Sequence, residues 1–195
     1  MLHEIALVAE RQRSGVEGKI SPDFTETWRA DGKVVPSRRT SLVVDPPDGH
    51  IPPLTEAARK VQEAAPKGPP SYDGPEALSP PERCLVWNEV PPMIPSGVTG
   101  ILQILQTPGY VTIFSEMIHT ARIIPLDGRH HLPEQIRQWG GDSVGRWEGD
   151  TLVVDTTNFT DKTKFRGSTR ALHVVERFTR ADADTITYRF TVEDP

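Results

Sequence analysis

The sequence has few of the features that indicate a function directly. Its one cysteine, Cys84, excludes an intrachain disulfide and a zinc site built from cysteines. Leu85, Val86 and Trp87 follow it in a strand-like run, which predicts a buried structural thiol rather than an activated nucleophile. No nucleotide-binding glycine loop, nucleophile elbow or zinc-protease motif is present.

Long apolar runs and an excess of basic residues are also lacking. No run approaches the roughly 18 apolar residues that span a bilayer. The first ten residues include Glu4 and Glu10 and have no basic leader, so we expect no signal peptide and a cytoplasmic protein. The net charge of −5 and pI of about 5.7 argue against nucleic-acid or membrane partners. A small molecule is the expected partner, and the sequence leaves the oligomeric state open.

The 195 residues are expected to form a single β-rich domain over 1–195. Apolar residues at helical spacing predict a short N-terminal helix over residues 1–13. Thirteen of the 19 prolines lie between Pro46 and Pro95, which predicts a wrapping or linking segment over 46–95 rather than core strands. Within that segment, residues 55–65 have the pattern of a helix.

After Pro95 the pattern becomes one of repeated strands. Residues 144–147 and 151–156 flank a Glu-Gly-Asp turn, and residues 172–180 and 185–192 predict a second hairpin. Seven or eight antiparallel strands with tight turns predict a calycin-like up-and-down β-barrel or a sandwich. The barrel is preferred because most connections are hairpins.

Polar residues interrupt the strand predicted over Val111–Ile124. Alternation places Ser115 and His119 in an otherwise apolar row that should face the core or a cavity. Glu116 and Arg122 fall on the other face, so Glu116 and His119 could meet only through a bulge. A core-facing histidine must be hydrogen-bonded, bound to a metal, or part of a wet cavity.

A second group of polar residues follows one loop later. His131 is expected to join His119, and Asp155, Asp127 or Asp142 would supply a carboxylate. Such a set could act as a general acid and base, with His119, His131 and Asp155 catalytic, or could hold a divalent metal through the two histidines. The predicted substrate-binding residues are Ser115, Arg122, Asp127 and Trp139, with Arg122 or Arg129 as an anion clamp. Trp139 precedes two glycines, so its segment forms either a lid or a simple glycine turn.

Three long motifs resemble those of an uncharacterised family of predicted exported proteins that are abundant in soil bacteria. They are Arg39–Gly49 (RTSLVVDPPDG), Met117–Gly128 (MIHTARIIPLDG) and Gly145–Phe159 (GRWEGDTLVVDTTNF). The resemblance covers about residues 25 to 195 and implies common ancestry and export, but no activity or catalytic residue. Members usually begin with a signal peptide and continue beyond Pro195, so this chain looks like a short or truncated member.

The sequence leaves three functions open. The first is a hydrolase or lyase acting on a small organic or carbohydrate-like molecule inside the barrel. The second is a non-catalytic barrel that binds an apolar ligand, and the third is a protein-interaction module that uses the proline-rich residues 66–95.

Overall fold

The computed structural model describes residues 3–10, 41–64, 72–87, 90–94, 102–163 and 165–195, with residues 3–10 described by their backbone alone. One helix, α1 (Glu56–Ala64), and eight strands are present in these ranges. The strands are β1 (His3–Glu10), β2 (Leu102–Thr107), β3 (Tyr110–Ser115), β4 (Ala121–Pro125), β5 (Asp142–Glu148), β6 (Thr151–Thr157), β7 (His173–Arg180) and β8 (Thr185–Glu193). The protein is therefore mainly β.

The strands form two antiparallel sheets. Strands β5 to β8 pair in chain order, and β1 extends this sheet beyond β8, while β2, β3 and β4 form the second sheet. Both predicted hairpins are confirmed, because β5 pairs with β6 and β7 pairs with β8 over their lengths. Within the described residues the strands close into no barrel, so neither the predicted barrel nor the sandwich is confirmed.

One apolar core joins the two sheets. Val111, Ile113 and Ile124 contribute from the three-stranded sheet. The larger sheet contributes the residues that alternate inward along β6, β7 and β8: Leu152, Val154, Val174, Phe178, Tyr188 and Phe190. The residues between them lie on the opposite face of the larger sheet, which we call the outer face.

The predicted N-terminal helix is wrong, because His3–Glu10 forms strand β1 and pairs with β8. An isolated helix of this length is marginal in water, whereas pairing satisfies the backbone groups along β8. The helix predicted in the proline-rich segment does form as α1, where the Thr55 hydroxyl accepts a hydrogen bond from the amide of Ala58. All of α1 that is described lies at the surface.

The proline-rich segment reaches the core at several points. Met93 belongs to the core, and Val86 and Pro91 are also buried. Cys84, however, is exposed, so the predicted buried thiol is wrong. Its positive φ of 52° places it in a tight turn rather than in the strand that the following residues suggested.

Candidate functional site

The predicted strand Val111–Ile124 is interrupted by a turn. Met117–His119 forms a single 3₁₀ turn in which Ile118 and His119 have φ values of 60° and 56°. The turn is closed by the amide of Ser115, which donates to the carbonyl of Thr120 at 2.8 Å. The predicted core-facing position of His119 is therefore wrong: its side chain is exposed at the turn.

The turn also changes which residues of β4 face inward. Ile113 pairs with Arg122, so Arg122 shares the inner face with Ile113 and the buried Ser115. The Arg122 side chain is only 10% exposed, and its Nη1 lies 2.8 Å from Oε2 of the fully buried Glu176. The two atoms are at ion-pair distance but are not aligned for a hydrogen bond. Arg122 was predicted on the opposite face, and that prediction is wrong.

Glu176 links Arg122 to a buried tyrosine. The Tyr188 hydroxyl donates to Glu176 Oε1 at 2.7 Å and accepts a hydrogen bond from the amide of Met93 at 2.9 Å. Burial, together with the neighbouring Glu176 carboxylate, holds the pKa of Tyr188 well above its usual value. This cluster lies in the interior, so the guanidinium of Arg122, one of the two predicted anion clamps, faces the Glu176 carboxylate.

A different group of side chains forms a continuous hydrogen-bonded chain at the surface. His131 Nδ1 lies 2.9 Å from Asp142 Oδ2, and His131 Nε2 lies 3.0 Å from Asp155 Oδ1. The same Asp155 oxygen lies 3.0 Å from His173 Nε2, and His173 Nδ1 lies 3.0 Å from Glu193 Oε2. Carboxylates and imidazoles therefore alternate over five residues, which we call the His–carboxylate chain.

The register of the larger sheet assembles this chain on the outer face. Asp155 pairs with Val175 of β7, so His173 lies two positions away on the same face, and His173 pairs directly with Glu193 of β8. Asp142 is the first residue of β5, at the same end of the sheet. Four strands supply four members, and the loop after β4 supplies His131.

Hydrogen bonding sets the protonation of the central pair. The bond to Asp155 raises the pKa of His173 to about 9; burial opposes this shift and Glu193 reinforces it. Burial would raise the pKa of Asp155, but the two histidines outweigh it and leave that pKa below the usual value. At neutral pH the structure therefore places a His173 imidazolium against an ionised Asp155.

Two features leave this chain open to a ligand. Nε2 of His131 and Nε2 of His173 both contact Oδ1 of Asp155. The other oxygen, Oδ2, has no hydrogen-bond partner among the described residues. The side chain of Glu193 is 40% exposed, whereas that of Asp142 is 15% exposed. The Asp142 carboxylate also accepts a hydrogen bond from the amide of Leu132 at 3.0 Å. Glu193 is thus the more easily displaced end.

The remaining predicted residues lie apart from these contacts. Asp127 is exposed, and its carboxylate accepts hydrogen bonds from Nε, Nη2 and the backbone amide of Arg129, which lower the pKa of Asp127 to about 2. Trp139 lies in a turn that is tied to the next loop by the Thr163 hydroxyl, which donates to the Trp139 carbonyl at 2.8 Å. Gly141 has a φ of 72°, and an added Cβ would lie 2.7 Å from the Thr157 carbonyl oxygen. These contacts agree with the glycine turn rather than with a lid.

The predicted metal set is not assembled. His119 takes part in none of the contacts of the His–carboxylate chain, and no group of three or more metal-ligating side chains is placed to hold an ion in the described part of the protein. The four ring nitrogens of His131 and His173 instead face carboxylate oxygens. His131 and Asp155 were predicted together, and the structure places them in contact.

Sequence reasoning missed His173 and Glu193. His173 lies in a hairpin that was predicted, and Glu193 is the residue after the predicted end of that hairpin's second strand. Strand alternation alone puts Asp155 and His173 on the polar faces of their strands. The missing information was the register between β6 and β7, which is set by pairing across the long connection from Asn158 to Leu172.

Among the described residues, no helix is both long and apolar enough to cross a membrane. Comparison with protein-family models, curated proteins and solved structures gave no match to this chain.

Proposed function

We propose that this protein is an acid/base enzyme of the hydrolase or lyase type that acts on a small organic or carbohydrate-like molecule. The observation that carries the proposal is the partly exposed His–carboxylate chain, in which one aspartate holds two imidazoles. Titratable groups with perturbed pKa values that share one surface are typical of acid/base sites. The reaction takes place on the outer face of the sheet rather than in a barrel cavity.

His173 is the proposed proton donor. Asp155 fixes the ring through Nε2, so the Nδ1 proton points toward Glu193. A substrate oxygen that displaces the exposed Glu193 carboxylate accepts this hydrogen bond, and the proton moves to that oxygen as its bond to carbon breaks. Glu193 then takes a proton from the attacking water or from the substrate carbon and returns it to Nδ1 of His173, the ring nitrogen that it faces.

His131 is the proposed positioning residue for Asp155. It shares the Asp155 oxygen with His173, and Asp142 anchors its other nitrogen. This keeps the Asp155 carboxylate ionised and correctly turned toward His173. His119 and a bound metal have no part in the proposed reaction.

The two other functions that the sequence left open depend on different parts of the chain. The ligand-binding alternative requires an apolar cavity. The interaction-module alternative depends on residues 66–95, of which 66–71, 88–89 and 95 lie outside the described residues.

The test combines a substrate screen with a His173→Gln variant. The purified protein is assayed against chromogenic esters, glycosides and uronates from pH 5 to 10. We expect turnover that declines as pH rises through about 9 and that falls at least about 100-fold in His173→Gln. His119→Gln is the matched control, because it removes an exposed histidine outside the chain.

Two results would overturn the proposal. One is turnover that His173→Gln and His119→Gln reduce equally. The other is the absence of turnover across the panel together with an NMR titration in which the His173 imidazole loses its proton near pH 6.5.

A further inference from the structure

A cleft lies between the two sheets, far from the His–carboxylate chain. It has a volume of about 400 Å³, and its walls are Ile104, Val111 and Ile113 on one side and Leu152, Phe178 and Ile186 on the other. Leu152 lies on the inner face at the start of β6. Asp155 lies on the outer face, near the end of the same strand. The cleft is therefore independent of the proposed acid/base site.

The interior of the cleft is apolar and is open at its rim. Val111, Ile113, Leu152 and Phe178 are buried, but Ile104 and Ile186 are about 40% exposed. Volumes of this size are typical of small-molecule sites. Apolar side chains that face water at a cleft gain stability when a ligand covers them.

Charged groups surround the mouth, and most of them are carboxylates. Among the residues that the structure describes, Asp150, Asp182 and Asp184 line it together with one cation, Arg180. Arg180 donates to the carbonyls of Asp182 and Ala183 within its own hairpin. The side chains of Asp150 and Asp184 make no hydrogen bond or ion pair within the described part of the chain, and both are exposed.

The side chain of Asp182 is already engaged. It accepts the amide of Asp184 at 2.8 Å, and this bond helps to hold the pKa of Asp182 below its usual value. Trp147 also lines the mouth and is 46% exposed. Aromatic faces are a recurring setting in which proteins bind organic ammonium groups.

We propose that this cleft binds an organic cation with an apolar tail, such as an alkylammonium compound. The tail lies between the sheets, and the ammonium group lies at the mouth near Trp147, Asp150 and Asp184. The described residues place three carboxylates and one guanidinium at the mouth, and this charge balance disfavours an anionic head group of the same size. The net charge of −5 adds a weaker attraction for cations.

The test compares three probes that share a decyl chain: decyltrimethylammonium, decyl sulfate and neutral decyl maltoside, each below its micellar concentration. Binding to the full chain is measured by calorimetry at low salt, and the site is located from the methyl NMR signals of Ile104, Ile113 and Leu152. The double variant Asp150→Asn/Asp184→Asn removes the free carboxylates. Asp161→Asn is the matched control, since it removes an exposed carboxylate beyond the opposite end of β6.

We expect the cation to bind most tightly and to shift the cleft methyl signals. The double variant should weaken the binding of the cation by up to about fivefold per carboxylate and should leave the affinity for the neutral probe unchanged. Asp161→Asn should have no effect. The proposal is overturned if decyl sulfate binds as tightly as the cation, if the double variant and Asp161→Asn behave alike, or if no probe shifts the cleft signals.

Discussion

The raised pKa of His173 gives the protein a pH-dependent stability that can be measured without knowing any substrate. The imidazole titrates near 6.5 in an unfolded chain and at about 9 in the folded protein. Between these values the folded state holds more protons than the unfolded state, so the free energy of unfolding falls as pH rises from about 6.5 through about 9. Below a pH of about 6.5, His173 makes its full contribution to the free energy of unfolding.

The size of the effect follows from the shift and from the exposure of the groups. At about 1.4 kcal/mol per pKa unit, the full shift corresponds to about 3 kcal/mol. His173 is 29% exposed and Glu193 is 40% exposed, so screening by water reduces this to about 2 kcal/mol. Most of this loss of stability should come from the hydrogen bond between His173 and Asp155, which is the largest cause of the raised pKa of His173.

The assay is urea denaturation at several pH values between 6 and 10, with His173→Gln as the comparison. The difference between the two proteins removes the contribution of other groups that titrate in this range. We expect the stability difference to shrink by about 2 kcal/mol across the interval, and His119→Gln to retain the wild-type slope. A difference that stays constant with pH would refute the assignment of a raised pKa to His173.

Three further predictions concern the interior, each measured by denaturation with urea. Glu176→Leu should cost about 3–5 kcal/mol because it leaves the Arg122 guanidinium buried without its partner, and the double variant with Arg122→Met should recover much of that loss. Tyr188→Phe should cost about 1–3 kcal/mol, since it removes the hydrogen-bond partner of the Met93 amide and of Oε1 of Glu176. Gly141→Ala should be clearly more destabilising than Gly109→Ala: both have positive φ, but only at Gly141 would the new Cβ meet backbone within 3 Å. A loss below about 1 kcal/mol for Glu176→Leu, no loss for Tyr188→Phe, or equal losses at the two glycines would contradict these accounts.

The sequence predicts the parts of the fold in which polarity alternates strongly. Both hairpins of the larger sheet were predicted, one from the Glu-Gly-Asp turn between its strands and the other from the clean alternation of Thr185–Val192. The break in Val111–Ile124 was not predicted, since a β-branched residue such as Ile118 rarely adopts a positive φ. Because of this turn, His119 lies at the surface and Arg122 lies in the core.

The candidate site could be predicted only in part, for a related reason. His131 and Asp155 were paired from their residue types, and the structure places them 3.0 Å apart. His173 and Glu193 complete the chain through the pairing of β6 with β7 and of β7 with β8. Register between strands joined by a long connection depends on how the whole core packs, so local pattern does not reveal it.

The position of His173 in the strand order also has a consequence for local motion. β7 is the central strand of the order β1-β8-β7-β6-β5, while Glu193 is the last residue of β8. Amide hydrogen exchange should therefore be slowest around Glu176 and Arg177, in the middle of β7, and faster near Glu193, because strand ends open without global unfolding. Each such opening would detach one carboxylate and leave the His173 ring held by Asp155, so the outward-facing imidazole nitrogen becomes accessible at the rate at which the end of β8 frays.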